Sequence, residues 1–91
     1  MATMQDNLTP KRNYLESRIR HHAGSAGISI DDLSWHRPHN QDVSELTITI
    51  SGIQKQWVIP HTNDPPGFAL FRATNKESDE LAKTIVRDLP Q

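Results

Sequence analysis

Residues 45–60 read ELTITISGIQKQWVIP, and this stretch decides the fold. Its first half alternates apolar Leu46, Ile48 and Ile50 with polar residues, which is the period-2 pattern of a strand with one buried face. Gly52 followed by Ile53 fits a two-residue type II′ turn, because that turn takes glycine at its first central position. The stretch therefore predicts an antiparallel hairpin with one apolar and one polar face.

Counting outward from the predicted turn gives a register and a candidate site. The predicted pairs are Ile50 with Lys55, Ile48 with Trp57, and Leu46 with Ile59. The polar face then carries Thr47, Thr49, Gln54 and Gln56. A polar sheet face beside an open edge can pair with another chain, so these four residues form the predicted protein-interaction site. Ordinary solvent exposure explains the same pattern equally well.

Helical signals flank the hairpin on both sides. Thr9 before Pro10 reads as an N-cap followed by proline in the first turn, and it predicts a helix from residue 10 to about residue 22. The sequence 74–77 matches a capping box. It opens a second helix with Leu81, Ile85 and Leu89 on one stripe, which Pro90 ends.

Two segments between these elements are less sharply defined by their pattern. Residues 28–37 change phase near Asp31-Asp32, which predicts either one strand with a β-bulge or two short strands joined by a turn. Residues 63–67, Asn-Asp-Pro-Pro-Gly, form a strong loop signal. Residues 68–72 are predicted to form a final short strand.

The order of elements predicts an α+β fold. It is a helix, three or four antiparallel strands and a second helix, α-β-β-β-(β)-α, with both helices packed on the apolar face of the sheet. Residues 1–8 are expected to be a flexible N-terminus, and residues 9–91 a single domain.

The composition narrows the classes of function. The formal net charge is −1, so overall charge attracts no polyanion, and the chain has no cysteine, which excludes disulfides and thiolate chemistry. No apolar run approaches membrane-spanning length, and the start lacks the apolar core of a signal peptide. We expect a soluble cytoplasmic protein with no membrane partner.

No residue pattern predicts catalysis. Five histidines are present, but Pro38 prevents His36 and His39 from lining up on a helix, and no His-Glu-x-x-His motif occurs. The carboxylates Asp31-Asp32 and Asp64 fall in turns, where such residues usually bond their own backbone. We therefore expect no catalytic residue, no metal site and no cofactor, and we expect that the protein is not an enzyme.

The first helix carries a basic cluster that offers an alternative function. Its members are Lys11, Arg12, Arg18 and Arg20. They predict a weak nucleic-acid-binding surface, although a solvated helix face gives the same pattern. The element order resembles, in outline, the double-stranded-RNA-binding domain, which grips phosphates with a lysine-rich start to its second helix. Residues 75–80 here read Asn-Lys-Glu-Ser-Asp-Glu, so that family's key residues do not carry over.

The chain as a whole resembles short bacterial proteins of Burkholderia and related proteobacteria that form domains of unknown function. That resemblance implies no activity. The function expected from the residues is a small non-enzymatic interaction or regulatory module with an unknown protein partner.

Overall fold

Two helices flank a three-stranded antiparallel sheet in the order α-β-β-β-α. The computed structural model describes residues 8–62 and 68–90. The elements are helix α1 (Leu8–Ser25), strands β1 (Asp32–His36), β2 (Val43–Ile50) and β3 (Ile53–Pro60), a 3-10 helix (Leu70–Arg72) and helix α2 (Asn75–Arg87). The predicted α+β class and element order are confirmed.

The core lies between one face of the sheet and the two helices. Strand β2 is central, and its residues alternate between buried and half-buried along the whole strand. The buried members of this core from β2, α1 and α2 are Leu46, Ile48, Ile50, Leu8, Leu15, Ile19, Ala23, Ala82, Ile85 and Val86. Trp35 on β1 and Trp57 on β3 are only partly buried and pack against this core.

The hairpin forms, but the predicted register is wrong. Ile48 pairs with Lys55 instead of Trp57, and Leu46 pairs with Trp57, so each β2 residue meets a β3 residue two positions earlier than predicted. Because side chains alternate with a period of two, a shift by two leaves every side chain on its predicted face. The apolar and polar faces are therefore as the sequence indicates.

The register differs because the turn is Ser51-Gly52, and not Gly52-Ile53. Both turn residues have positive φ, 52° for Ser51 and 80° for Gly52, as a type I′ turn requires. Serine rarely adopts this conformation, but here the Ser51 N–H donates to Asp31 Oδ2 at 2.7 Å. A residue just before β1 thus stabilises the turn between β2 and β3.

The helix-end signals are confirmed in part: α1 runs to Ser25, beyond the predicted end near residue 22, and α2 ends at Arg87, so Leu89 and Pro90 lie after it. Gly27, at φ 76°, closes α1, and the Ile28 N–H donates to the Ala23 carbonyl at 2.8 Å, as in a Schellman motif. The capping box is confirmed, since Thr74 and Glu77 exchange both hydrogen bonds. The predicted N-cap at Thr9 is wrong because α1 already includes Leu8; Pro10 falls in the first turn, where its missing N–H costs little.

Two predicted strands are also corrected. Of residues 28–37, only Asp32–His36 forms a strand, so neither the bulged strand nor the pair of short strands occurs. Residues 68–72 contain the 3-10 helix, whose Phe71 is 38% exposed, and add no fourth strand to the sheet. Short apolar runs carry too little periodicity to separate these alternatives.

Some predictions fall on residues that are not described. Residues 1–7 of the expected flexible start lie outside the described residues, whereas Leu8 is a buried residue of α1. The predicted loop at residues 63–67, with Asp64, also lies outside the described residues, as does Gln91.

Candidate functional site

Two polar residues occupy core-facing positions at the end of the β2–β3 hairpin that lies opposite its turn. Ser44 shares the inward phase of Leu46 in β2, and His61 follows β3 in the phase of Ile59. Both side chains are fully buried, at 0% exposure. The backbone N–H of His61 donates to the Asp42 carbonyl at 2.9 Å, which continues the β2–β3 ladder beyond the strands. A polar side chain buried in a core requires hydrogen-bond partners.

Ser44 joins α1 to His61. Arg12 donates to Ser44 Oγ from Nε at 3.1 Å and from Nη2 at 2.8 Å. Ser44 Oγ lies 2.6 Å from His61 Nε2. Because Arg12 can only donate, the hydroxyl proton of Ser44 is left for His61 Nε2, and the neutral imidazole then carries its proton on Nδ1.

The other imidazole nitrogen lies near a carboxylate but is not hydrogen-bonded to it. His61 Nδ1 lies 3.5 Å from Asp42 Oδ1, and it has no hydrogen-bond partner among the described residues. Asp42 is largely exposed and also accepts a bond from Thr62 Oγ1 at 3.1 Å. Burial lowers the pKa of His61, although the nearby carboxylate of Asp42 opposes this change.

The sequence of contacts from Ser44 through His61 to Asp42 has the order of a hydrolase triad, but its surroundings do not suit catalysis. A nucleophile must reach its substrate, and Ser44 Oγ is fully buried beneath the Arg12 guanidinium. Arg12 also lies 5.7 Å from the centre of the Trp35 ring. The cluster therefore acts as a polar link between α1, β2 and the end of β3.

Ser44 and His61 are absent from the predicted site residues, although the sequence contains a signal for both. Ser44 and His61 are polar residues in the apolar phase of two paired strands, and a buried polar residue is more informative than an exposed apolar one. The alternation of the hairpin places Ser44 and His61 on its buried face. Their pairing with Arg12 depends on the packing of α1, which the pattern does not contain.

The predicted basic cluster is largely engaged within the protein. Lys11 Nζ donates to the Ala73 carbonyl at 2.6 Å. Arg18 Nε donates to Asp79 Oδ1 at 2.7 Å, and His22 Nε2 lies 2.8 Å from the same oxygen. The hydrogen bonds from Arg18 and His22 lower the pKa of Asp79 to about 2. Lys11 and Arg18 therefore connect α1 to the C-terminal part of the fold.

Arg20 also has an intramolecular partner. Its Nε lies 3.2 Å from Glu16 Oε2, one helical turn away, and Glu16 accepts from Trp35 Nε1 through its other oxygen. With Arg12 bonded to Ser44, all four predicted nucleic-acid-binding residues thus donate to acceptors within the chain.

The four residues of the predicted protein-interaction site lie on one sheet face. Thr47 and Thr49 belong to the central strand and are half-buried, whereas Gln54 and Gln56 on β3 are exposed. Gln56 Nε2 lies 3.4 Å from Glu45 Oε1, which is a long hydrogen bond. This face is polar and carries Gln54 and Gln56 at its margin.

The outer edge of β3 presents backbone groups. Hydrogen-bonded pairs alternate along an antiparallel ladder, and the bond from His61 to Asp42 fixes the phase. Lys55, Trp57 and Ile59 therefore bond to β2, while residues 54, 56 and 58 direct their N–H and C=O groups outward. Within residues 8–62 and 68–90 no strand pairs with this edge.

An apolar groove of about 230 Å³ runs beside the same edge. Its lining comes from β3, α2 and Phe68: Trp57, Val58, Ile59, Pro60, Phe68, Leu81 and Ile85. Two apolar residues of β3 are unusually exposed, Ile53 at 56% and Val58 at 61%. Lys55 Nζ donates to the Asp88 carbonyl at 2.9 Å, so the residue that follows α2 lies close to β3.

The other surfaces of the described ranges offer weaker candidates for a functional site. A wider open depression of about 620 Å³ is lined by the consecutive residues 37–42. In the described ranges, no group of three or more histidine, aspartate or glutamate side chains is arranged to hold a metal ion. No helix in those ranges is both long enough and apolar enough to cross a membrane.

Comparison with known proteins gave no match to a protein-family model, a curated protein or a solved structure.

Proposed function

We propose that this chain is a small, non-enzymatic interaction module that binds an extended protein segment along the outer edge of β3. The observation that carries the proposal is the outward direction of the backbone groups of Gln54, Gln56 and Val58. A peptide that adds a strand to a sheet edge gains its affinity from such groups. The module and its partner meet in the cytoplasm. Disulfides are rare in that compartment, and a chain without cysteine does not depend on them.

The groove beside β3 supports the same mode of binding. In strand addition, alternate side chains of the bound segment point to the same face, where pockets provide specificity. Here the helix-bearing face offers the groove between Trp57, Ile59 and Leu81, and the opposite face offers Gln54 and Gln56. A bound segment with alternating apolar and polar side chains satisfies both faces.

The edge can be blocked without damage to the hairpin. Gln56→Pro removes an N–H that makes no bond to β2, and proline is tolerated at such edge positions. Gln56→Ala is the matched control, because it removes the side chain and retains the N–H. Lys55→Pro is expected to unfold the hairpin, because the Lys55 N–H belongs to the β2–β3 ladder.

Selection from a displayed peptide library tests the proposal without knowledge of the natural partner. We expect selected peptides to bind wild type and Gln56→Ala with similar affinity and to lose at least about tenfold on Gln56→Pro, because main-chain bonds carry the interaction. Equal binding to all three proteins would refute edge recognition. Thr47→Glu tests whether the polar face also contributes.

The alternative function is weak nucleic-acid binding by the basic first helix. The bonds already made by Lys11, Arg12, Arg18 and Arg20 disfavour it, since a phosphate has to displace them. Fluorescence anisotropy with duplex DNA, duplex RNA and single strands tests it at low and physiological salt. Salt-sensitive binding that is abolished by the double variant Lys11→Glu/Arg18→Glu would favour this alternative.

A further inference from the structure

We propose that the extended segment accepted by the β3 edge is β3 of a second copy of this chain, paired antiparallel about a two-fold axis at Gln56. The inference rests on the proposed function and names its partner. It follows from the register that the edge permits, from the charges along β3 and from the position of the groove.

The outward backbone groups limit the possible registers. Only residues 54, 56 and 58 can bond across the edge, so they must face one another in the two copies. With Gln56 on the axis, Gln56 faces Gln56, and Gln54 faces Val58 of the second copy. Each such pair exchanges two hydrogen bonds, which gives about six across the edge.

The two neighbouring registers are less favourable. An axis at Lys55 places the two Lys55 ammonium groups directly opposite, and like charges in that position destabilise a sheet. An axis at Trp57 places Gln54 opposite Pro60, which has no N–H to donate. The axis at Gln56 avoids both defects, because Lys55 then faces Trp57 of the second copy.

The inward side chains complement one another in this register. Lys55 Nζ already lies 6.0 Å from the centre of its own Trp57 ring, so a second indole adds to an existing cation–π arrangement. Ile53, which is 56% exposed, faces Ile59 of the second copy and enters the groove beside it. Ile53 of each copy is therefore covered by the groove of the other.

The resulting dimer has one continuous sheet of six strands. A two-fold axis perpendicular to the sheet keeps the same face upward in both copies, so all four helices lie on one side. Such pairing also removes the open β3 edges, which are otherwise sites of uncontrolled association.

Cysteine cross-linking tests the register directly, because the native chain contains no cysteine. Directly opposed residues in a hydrogen-bonded pair lie about 5.5 Å apart at Cα, within the range of a disulfide. We expect Gln56→Cys to form disulfide dimers about tenfold faster than Gln54→Cys, Val58→Cys or the off-edge control Ser34→Cys. A mixture of Gln54→Cys and Val58→Cys chains should give the heterodimer rapidly.

Sedimentation velocity separates failure of this inference from failure of the proposed function. The expected result is a wild-type dimer that Gln56→Pro converts to a folded monomer and Gln56→Ala preserves. A wild type that stays monomeric, with Gln56→Cys no faster than Ser34→Cys, overturns the dimer. If selected peptides still require the Gln56 N–H in that case, edge recognition stands and only the choice of partner is wrong.

Discussion

Ser44→Ala is expected to be one of the most destabilising small substitutions in the chain. The variant removes the oxygen that accepts two bonds from Arg12 and that lies 2.6 Å from His61 Nε2. Because His61 is fully buried, no water reaches its nitrogen to replace the lost partner. A buried polar group left unsatisfied costs about 1–3 kcal/mol, and a bond to a charged group contributes about 1.5–3 kcal/mol.

Arg12 is half-buried, so water recovers part of its lost bonding. We therefore expect a loss of about 2–4 kcal/mol in the free energy of unfolding, of which the unsatisfied imidazole contributes the larger part. For a domain of this size each 1 kcal/mol lowers Tm by about 4–8 °C. Urea unfolding followed by tryptophan fluorescence measures the loss, with Ser34→Ala as the exposed control on β1.

The control should change stability by less than about 0.5 kcal/mol. A double-mutant cycle of Ser44→Ala with Arg12→Met should show a coupling energy of about 0.5–3 kcal/mol if the two side chains act as one unit. If Ser44→Ala and Ser34→Ala lowered the free energy of unfolding equally, the polar link would be refuted. If the effects of Ser44→Ala and Arg12→Met were additive, Arg12 would not belong to the link.

Three further predictions concern acidity and packing. Burial lowers the folded-state pKa of His61. The contribution of His61 to stability is therefore complete above the unfolded-state pKa of about 6.5, and at lower pH it decreases by at most about 1.4 kcal/mol per pH unit. His61→Gln should abolish this pH dependence of stability in urea titrations. The pKa of Asp79 is lowered to about 2, so its contribution is present above about pH 4 and is lost as pH falls toward 2; an Asp79→Asn variant with an unchanged acid transition would contradict this. Trp57→Ala should cost about 2–3 kcal/mol, below the range for a fully buried ring, and Thr49→Ala under about 1 kcal/mol, as measured by thermal unfolding; equal costs would contradict the assignment of faces.

The parts of the fold that depend on local patterns could be predicted. Alternation along residues 45–50 identified a strand and its buried face, and Thr74 with Glu77 marked the start of α2. The turn could not be predicted in the same way. A serine at positive φ is unfavourable by itself, and the carboxylate that stabilises Ser51-Gly52 as the turn belongs to Asp31, which lies outside the hairpin.

The residues of the candidate site also divide into those that a local pattern predicts and those that depend on tertiary contacts. The polar face with Gln54 and Gln56 could be read from alternation, because alternation determines faces. The basic residues predict a surface, because charge patterns do not reveal partners. In the structure Arg18 contacts Asp79, which lies on another helix. Long-range pairing of charged groups requires the tertiary arrangement of the helices, and no local pattern contains it.

The bond from Ser51 to Asp31 makes the hairpin dependent on a residue outside it. A synthetic peptide of residues 43–60 lacks that carboxylate, and serine at positive φ is then unsupported. In such a peptide the turn with glycine at its first central position, Gly52-Ile53, becomes the more favourable choice. We therefore expect the isolated eighteen residues to take the second alignment, which has the same faces, and we expect Asp31 to select the native register in the full chain.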